Sequence, residues 1–304
     1  MGTGRVTSQI LVQRALTNLR NQSNRIIDLQ TQLASGLRVN QPSDDPIDAR
    51  RAINARAAIA KNEQYVQNIA SAGPRLEETV TSLQTLTENL LRARELTLRG
   101  ANGTNDQSSL DILAEEINQI LEGVVNTSNH LTGNAYIFGG TRTTQAPFEV
   151  TRDVNGDITA VTYVGNTDDI SASIGDGVQV VINEPGSAVF QGAEDIFQTL
   201  INIRDNMLAG DQASLQNARI AELETIRNQI GQGIARIGAV QNRFSAAEAE
   251  LEDFQLQLQQ LLSDSIDADF ADVVLNLNSQ SNAYQAALNA ASRVIQPSLL
   301  DFIQ

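Results

Sequence analysis

The stretch IRNQIGQGIARIGAVQNRFSAAEAELEDFQLQLQQLLSDS, residues 226–265, decides the fold class of this chain. Its apolar and small residues recur at alternating steps of four and three, which places them along one stripe of a helix. The stripe consists of Ile226, Ile230, Gly233, Ile237, Val240, Phe244, Ala247, Leu251, Phe254, Leu258, Leu261 and Ser265. A helix that begins near Asp211 would have about 55 residues and a length of about 80 Å. The pattern therefore predicts a helix too long for a globular core, which must pack along other helices.

Both ends of the chain carry the same type of pattern. Near the start, the stripe is Val12, Leu16, Leu19, Ser23, Ile26, Gln30, Leu33 and Leu37. After Ser265 the register slips, and the stripe continues as Ile266, Phe270, Val273, Leu277, Tyr284, Leu288, Ala291 and Ile295. Residues 1–40 hold five Arg against one Asp, whereas residues 261–304 hold five Asp against one Arg. We expect the two ends to pack together, either in one subunit or between neighbours.

We assign the assembly interface to apolar positions of these two stripes. They are Val12, Leu16, Leu19, Ile26, Leu33, Leu37, Ile266, Phe270, Val273, Leu277, Tyr284 and Leu288. The ends are rich in Gln, Asn, Ser and Ala, so they bury too little apolar surface to offset the chain entropy lost on folding. We expect them to be disordered in a free monomer and to fold on assembly.

The region between the ends is also helical at first. Helical patterning runs from Ile47 to Arg99, and Gly73-Pro74 predicts a break or kink. Its stripe is Leu76, Val80, Leu83 and Leu90. Thr104 and Gln107 have the spacing of a capping box. The helix that this box would open carries Leu110, Leu113, Ile117, Ile120 and Val124.

From Gly133 to Gly192 the helical period gives way to alternation, which predicts a small β insert. Around Asn155-Gly156 the alternating residues are Phe148, Val150 and Arg152, then Ile158, Ala160, Thr162 and Val164. Asn-Gly between two such runs predicts a hairpin with a type I′ turn, in which both turn residues have positive φ. A second pair of runs surrounds Gly175-Asp176-Gly177, with Ile170, Ala172 and Ile174 before it and Val178, Val180 and Ile182 after it. Helix resumes at about Ala193.

Composition excludes several functions. The net charge is −15 and the pI is about 4.4, so nucleic acid and anionic membranes are poor partners. The absence of Cys excludes disulfides, thiolate metal sites and Cys nucleophiles. Aromatic residues make up 4% of the chain, so we expect an aliphatic core. No apolar stretch reaches the roughly 18 residues of a membrane span, and the first thirty residues lack the features of a secretory signal.

No set of residues forms a catalytic, cofactor or metal site. His130, the sole histidine, is interpreted as a polar residue at a helix end because it has no partner motif. Asp153-Val154-Asn155-Gly156-Asp157 lacks the closing Glu of a calcium loop, and Glu115-Glu116 diverge by about 100° on a helix. The acidic residues Asp264, Asp267, Asp269 and Asp272 are interpreted as a solvated face. We therefore predict a protein that is not an enzyme and needs no cofactor.

Residues 33–46, LASGLRVNQPSDDP, resemble a signature of the flagellin superfamily. Pro42 and Pro46 around Ser43-Asp44-Asp45 are similar to the hook-associated junction proteins within it. Further similarities are Arg5-Val6-Thr7-Ser8, Glu63-Gln64-Tyr65 with Asn68-Ile69, AYIFGGTRTTQAPF at 135–148 and SLLDFI at 298–303. Two departures are Gly2-Thr3-Gly4 before the first of these segments and Pro297, which should end or kink the last helix.

The resemblance implies a mainly α protein with a long antiparallel helical bundle and a β-rich insert. It implies a structural adaptor of the bacterial flagellum, exported unfolded by the type III route and located outside the cell at the hook–filament junction. The implied partners are copies of itself in a ring or tube, the hook-side hook-associated protein, flagellin and an export chaperone. Neither nucleic acid nor membrane is among them.

Three regions are expected on this basis. Residues 1–42 and 262–304 form the terminal coiled-coil region, 43–133 and 193–261 a helical rod, and 134–192 the hairpin insert. Two alternatives stay open at this point: a flagellin that forms filaments, and a cytoplasmic coiled-coil protein with a signalling or chaperone-like role. The first predicts long filaments on polymerisation, and the second predicts a stable soluble dimer that is not exported.

Overall fold

A computed structural model describes residues 3–295, without the side chains of residues 3–9, 11 and 293–295. The long helices are α1 (Thr3–Ser35), α2 (Pro46–Gly100), α3 (Gln107–Ser128), α7 (Ile220–Ile266) and α8 (Phe270–Ile295). Shorter helices are α4 (Gly186–Phe190), α5 (Ile196–Leu208) and α6 (Gln212–Ser214). The chain forms two units, Met1–Lys61 with Asp253–Gln304 and Asn62–Glu252. The three regions expected from the sequence have other boundaries and stay a prediction.

In the terminal unit, α1 packs against α8. Gly36, just after α1, accepts a hydrogen bond at its carbonyl from the amide of Ala268, just before α8, at 2.9 Å. The neighbouring Leu37 and Asp267 form an antiparallel bridge. Because the end of α1 lies beside the start of α8, the two helices run antiparallel, and the expected packing of the two ends is confirmed within one chain.

The central unit has one continuous apolar core built from α2, α3, α5, α7 and the β hairpins. The predicted stripes of α2 and α3 face this core, and Leu83, Ile117 and Val124 are fully buried. The expectation of a wholly aliphatic core is wrong in one place. Four of the eight phenylalanines, Phe138, Phe148, Phe190 and Phe197, form a buried cluster with ring centroids 5.0–5.7 Å apart. The few aromatic residues are concentrated where the hairpins meet the helices.

The insert contains three two-stranded antiparallel sheets: β1 (Leu131–Thr132) with β2 (Ala135–Tyr136), β3 (Phe148–Arg152) with β4 (Ile158–Tyr163), and β5 (Ser171–Gly175) with β6 (Val178–Val181). Both predicted hairpins are confirmed. The short helix α4 and the β1–β2 pair were not predicted.

The turn type predicted for the β3–β4 hairpin is wrong. A type I′ turn needs a positive φ at both Asn155 and Gly156. Gly156 has a φ of 96°, but Asn155 does not have a positive φ, because among the described residues only glycines do. Instead, the Asp153 carboxylate accepts hydrogen bonds from the amides of Asn155 and Asp157, at 2.8 and 2.9 Å, so a longer loop replaces the two-residue turn.

The alternation seen in the sequence of β4 does not match its burial. The strand register shifts between Thr151 and Arg152, so the alternation of β4 changes phase after Ile158. Val161 is therefore buried, whereas Ala160 and Thr162, which alternate with Ile158 in the sequence, are exposed.

The predicted capping box at Thr104 is also wrong. Asp106 is the N-cap of α3, and its carboxylate accepts the Ser109 amide at 3.0 Å. Thr104 belongs to the preceding turn, where its hydroxyl and the side chain of Asn102 form a hydrogen bond of 3.1 Å. An Asp in the N-cap position uses a carboxylate, which suits the positive end of the helix dipole.

Of the break or kink predicted at Gly73-Pro74, the break is absent, because helix α2 continues through Pro74. Ala72 and Leu76, on either side of this proline, are 4% and 2% exposed in the core. Their packing holds the helix where proline removes one backbone hydrogen bond. Pro297 lies outside the described residues, as does the segment at 298–303.

The long helix predicted from Asp211 onward is confirmed. Asp211 caps it by accepting the Ser214 amide at 3.0 Å, and helical structure continues to Ile266 with a π-helical turn at Leu215–Arg219. The register slip after Ser265 is a full break between two helices. Asp269 opens α8 by accepting the amides of Ala271 and Asp272, at 2.9 and 3.2 Å.

Candidate assembly interface

The segment at 36–46 connects α1 to α2 beside the break between α7 and α8. We call residues 36–46 with residues 265–269 the joint. Gly36 ends α1 with a φ of 73°, a left-handed conformation that favours glycine. The amides of Arg38 and Val39 both donate to the carbonyl of Ile266, at 2.7 and 3.4 Å. Main-chain hydrogen bonds therefore connect the α1–α2 segment to the α7–α8 segment.

Arg38 adds a side-chain connection at the same place. Its guanidinium donates to Asp48 Oδ2 at 2.6 Å and to the carbonyl oxygen of Ser265 at 2.7 Å. Asp45 Oδ2 lies 3.6 Å from the same guanidinium. The hydrogen bond from Arg38 lowers the pKa of the Asp48 carboxyl, and the bond with Asp48 raises the pKa of Arg38. One side chain thus links the start of α2 to the end of α7.

Two further acidic residues of the signature shape the loop. Asp44 Oδ2 accepts the amides of Asn40 and Gln41, at 3.0 and 2.8 Å. Asp45 Oδ1 accepts the amides of Ile47 and Asp48, at 3.0 and 3.1 Å, and so caps α2. Pro46 follows as the first helical residue, where the missing N–H costs no hydrogen bond. The Asp-Asp-Pro run therefore closes the loop and opens the helix.

A small apolar cluster lies beneath the joint. It contains Val39, Ala49, Ala52 and Ile266, all between 4% and 9% exposed, with Leu37 and Leu262 packed against it. The cluster is separate from the main core. Two of the predicted assembly residues, Leu37 and Ile266, belong to this joint, because Leu37 lies beyond the end of α1.

The α1 stripe facing α8 differs in phase from the predicted one. Five residues of the predicted stripe are half-buried, as expected: Val12, Leu19, Ser23, Ile26 and Leu33. Between them, the residues on the partly buried side are Ala15, Gln22 and Leu29, whereas Leu16 is 44% exposed and Gln30 is also exposed. The Gln22 Oε1 atom is buried in this seam without a hydrogen bond among the described residues.

The α8 stripe agrees with the prediction at Val273, Leu277 and Tyr284, which are buried or half-buried. Ala291 completes it at 6% exposure. Phe270 and Leu288 are 65% and 46% exposed, so the structure leaves them outside the seam. Of the twelve predicted assembly residues, seven therefore lie in the α1–α8 seam, two in the joint, and Leu16, Phe270 and Leu288 on the surface.

Sequence reasoning missed Arg38, Asp45 and Asp48 as the residues that fasten the joint. The sequence does contain a signal for Asp45, because an Asp directly before a Pro is typical of a helix N-cap followed by a first-turn proline. The Arg38–Asp48 pair has no comparable local signal, because the two residues meet only after the chain has turned.

The other polar candidates have structural roles. His130 Nε2 lies 2.7 Å from Glu78 Oε1, with both side chains 38% exposed. Glu116 pairs with Arg92, and Glu115 accepts a hydrogen bond from Gln119. Within residues 3–295, no group of His, Asp and Glu side chains is arranged to hold a metal ion. No helix in the same part of the chain is long and apolar enough to cross a membrane.

Comparison with known proteins assigns the family. The model of the bacterial flagellin N-terminal helical region matches residues 6–143, and that of the flagellin C-terminal helical region matches residues 220–303. The chain belongs to the flagellin family. The N-terminal match contains the signature segment, and the C-terminal match contains α7 and α8.

Within this family, the chain is similar to junction proteins over nearly its whole length. It is 25% identical to flagellar hook-associated protein 3 of Escherichia coli K12, over 94% of this chain and 95% of that protein. The protein of the same name from Salmonella typhimurium is also 25% identical, over 93% and 94% of the two chains. Flagellin of Xenorhabdus nematophila is 30% identical, over 50% of this chain and 43% of that protein.

Solved structures show the same fold. Bacillus cereus FlgL aligns with a TM-score of 0.58 and 26% identity, over 69% of this chain and 99% of that one. A flagellar hook-associated protein of Vibrio parahaemolyticus aligns with a TM-score of 0.66 and 19% identity, over 74% of this chain and all of that one. The fold is therefore that of the flagellin family, with long terminal helices and small antiparallel sheets between them.

Proposed function

We propose that this flagellin-family chain is the structural adaptor that joins the hook side of the bacterial flagellum to its flagellin filament. The observation that carries the proposal is the extent of similarity. The match to hook-associated protein 3 continues through the β hairpins and covers 94% of the chain, whereas the flagellin relatives cover 38–50%. Similarity along nearly the whole chain supports a shared place in the flagellum.

The geometry supports an assembly role and not a catalytic one. The α1–α8 seam is only partly buried, and large apolar side chains around it remain exposed. Exposed apolar positions on a helix pair are typical of surfaces that another protein covers. The homologues are structural flagellar proteins, and the polar clusters of this chain have structural partners.

The proposal includes four partners and a location. Copies of the chain form a ring or tube, with the hook-side hook-associated protein below it and flagellin above it. An export chaperone covers the C-terminal heptad helix before secretion, and the assembled layer lies outside the cell at the hook–filament junction. The twelve assembly residues named above are proposed to stabilise this layer, through the seam, the joint or the exposed surface.

Immunolabelling of purified flagella tests the proposal. We expect an antibody against this chain to label one band between hook and filament. Deletion of the gene should leave intact hooks while flagellin is released into the medium. Label along the whole filament, or complete filaments on the hooks of the deletion strain, would contradict the adaptor role.

A filament subunit is the second candidate, because flagellin models match both ends of the chain. Polymerisation of the purified chain separates the two functions. A filament subunit extends seeds of broken filament into long filaments, whereas an adaptor adds one layer and stops.

A further inference from the structure

The β3–β4 and β5–β6 hairpins have four outer edges, and three of them are covered by side chains from outside the hairpins. The outer edge of a strand has main-chain N–H and C=O groups that can pair with another chain unless something covers them. The covering side chains bond to the main chain at 2.8–3.3 Å: Asn129 to Phe148 of β3, Gln191 and Arg204 to Val161 and Ile158 of β4, and Asn68 to Ser173 of β5. Within residues 3–295, no side chain bonds to the outer edge of β6 in this way.

The uncovered groups of β6 are those of Gln179 and Val181. The amide of Ile182 donates to the carbonyl of Ile170 at 2.8 Å, and hydrogen-bonded pairs alternate with non-hydrogen-bonded pairs along an antiparallel ladder. Gln179 and Val181 belong to the non-hydrogen-bonded pairs, so their main-chain groups point away from β5. The carbonyl of Ser173, opposite Gln179, points outward from the other edge in the same way. Both β6 residues are exposed, so two N–H and two C=O groups are open to solvent.

A cleft of about 290 Å³ lies beside the end of this edge. Its apolar walls come from α2, α7 and the end of β6 with the chain that follows it: Leu76, Ile237, Val240, Val181 and Pro185. A strand added beside β6 directs every second side chain toward the helices, because side chains alternate between the two faces of a sheet. Aliphatic side chains at those positions would enter the cleft.

The surroundings of β6 are acidic. Residues 166–185 contain four carboxylates and no Lys or Arg. Glu184 pairs with Arg236 of α7 at 2.8 Å. Asp169 is exposed and also lines the cleft, but it forms no ion pair with a cation in residues 3–295. A basic side chain on an added strand would therefore find a carboxylate without a partner.

We propose that the outer edge of β6 binds an extended segment of a partner protein as a third strand. The segment has aliphatic residues toward the cleft and a basic residue toward Asp169. Main-chain hydrogen bonds to Gln179 and Val181 supply affinity, and the cleft and the carboxylate supply sequence preference. This edge belongs to the central unit, and the inference goes beyond the adaptor function and does not depend on it.

Peptide binding to the full-length chain tests the contact. The probe is a fluorescent Val-Lys-Val-Thr-Val peptide with blocked ends, which has its valines on one face and its Lys and Thr on the other. We expect saturable binding by fluorescence anisotropy. Methylation of the Lys and Thr amide nitrogens, which would donate to Gln179 and Val181, should weaken binding at least about tenfold. No binding at about 1 mM peptide, or equal binding of the methylated peptide, would overturn the proposal.

Proline substitution identifies the edge. Gln179→Pro removes an outward N–H but no β5–β6 ladder bond, so it should weaken peptide binding at least about tenfold. Ser171→Pro is the matched control and should bind normally, because Ser171 pairs with Val181 and its N–H points to the opposite edge of the same hairpin. Equal loss in the two variants would overturn the assignment to β6.

Asp169→Asn tests the preference for a basic segment. This variant should bind the lysine peptide several-fold more weakly than the natural chain does, with a difference that shrinks at high salt. Equal affinities would overturn the proposed preference. Labelling at the junction tests the adaptor function separately, so either proposal can fail without the other.

Discussion

At the scale of single residues, Arg38 has the largest number of connections in the joint. Its main chain bonds to Ile266, and its side chain bonds to Asp48 and to the Ser265 carbonyl. Removing the guanidinium leaves the Ser265 carbonyl and the Asp48 carboxylate without that donor, although Arg51 still pairs with Asp48 at 2.9 Å. A lysine retains the charge but not the forked geometry that reaches two acceptors.

Arg38→Ala is therefore expected to loosen the joint without unfolding the central unit. Limited proteolysis should cut within residues 36–46 several-fold faster, while the fragment from the central unit persists. Arg38→Lys should give an intermediate rate, and Arg56→Ala, away from the joint, should give the natural rate. Equal cutting rates for Arg38→Ala and the natural chain would show that the guanidinium does not hold the loop.

Asp48 makes the joint sensitive to acid. Its pKa is lowered in the folded chain, chiefly by the hydrogen bond from Arg38, so its contribution to stability is complete above the ordinary carboxyl pKa of about 3.9. The contribution is lost as the pH falls through the lowered value. We expect Asp48→Asn to increase cutting of the joint at neutral pH, with a difference from the natural chain that vanishes in acid. A difference in cutting rate that grows as the pH falls would contradict the expected direction of the pH dependence.

At the scale of secondary-structure elements, the helices were predictable and their ends were less so. The caps are local, yet the spacing of Thr104 and Gln107 pointed to the wrong residue, and the structure has Asp106 as the N-cap of α3. The side-chain hydrogen bond and the backbone hydrogen bond with Ser109 lower the pKa of Asp106, in keeping with a charged cap.

Asp106→Ala should therefore lower the melting temperature of the central unit by a few degrees, the size of effect typical of a lost N-cap. Thr104→Ala is the matched control and should leave the melting temperature nearly unchanged. If Thr104→Ala lowered the melting temperature more than Asp106→Ala did, Thr104 would be the helix cap and the assignment of Asp106 would be wrong.

The phase of the α1 stripe shows what a single sequence leaves undecided. Val12, Leu19, Ile26 and Leu33 belong to either phase. The residues between them are Leu16, Ser23 and Gln30 in one phase and Ala15, Gln22 and Leu29 in the other. The two sets are about equally apolar, so periodicity cannot choose between them, and the packing against α8 decides. The burial of β4 is equally hard to read from the sequence, because one bulge changes the phase of every later residue.

The Gln22 side chain offers a test of that packing. Its Oε1 atom is buried in the seam without a described hydrogen bond, which costs about 1–3 kcal/mol relative to a satisfied or apolar group. Gln22→Leu is expected to stabilise the α1–α8 pair by about 1 kcal/mol, visible as slower amide exchange in both helices. Gln30→Leu, at an exposed position, is the control. If Gln30→Leu slowed amide exchange as much as Gln22→Leu, the result would contradict the burial of Gln22 rather than Gln30 in the α1–α8 seam.

At the scale of the whole molecule, composition and periodicity predicted the class of fold and the pairing of the chain ends. They did not reveal the joint, because its contacts link residues more than two hundred positions apart, such as Arg38 and Ser265. They also did not reveal that the α1–α8 seam leaves Leu16, Phe270 and Leu288 exposed. Because these side chains are exposed and the α1–α8 seam is only partly buried, we expect the terminal helices to gain order when the chain assembles.

Hydrogen exchange of the full-length chain, free in dilute solution and assembled, tests that claim most directly. In the free chain we expect the amides of α1 and α8 to exchange at least about a hundredfold faster than those of the buried segments of α2 and α3. Assembly should slow the exchange of α1 and α8 and leave α2 and α3 nearly unchanged. Strong protection of α1 and α8 in the free chain, equal to that of the central unit, would contradict the account.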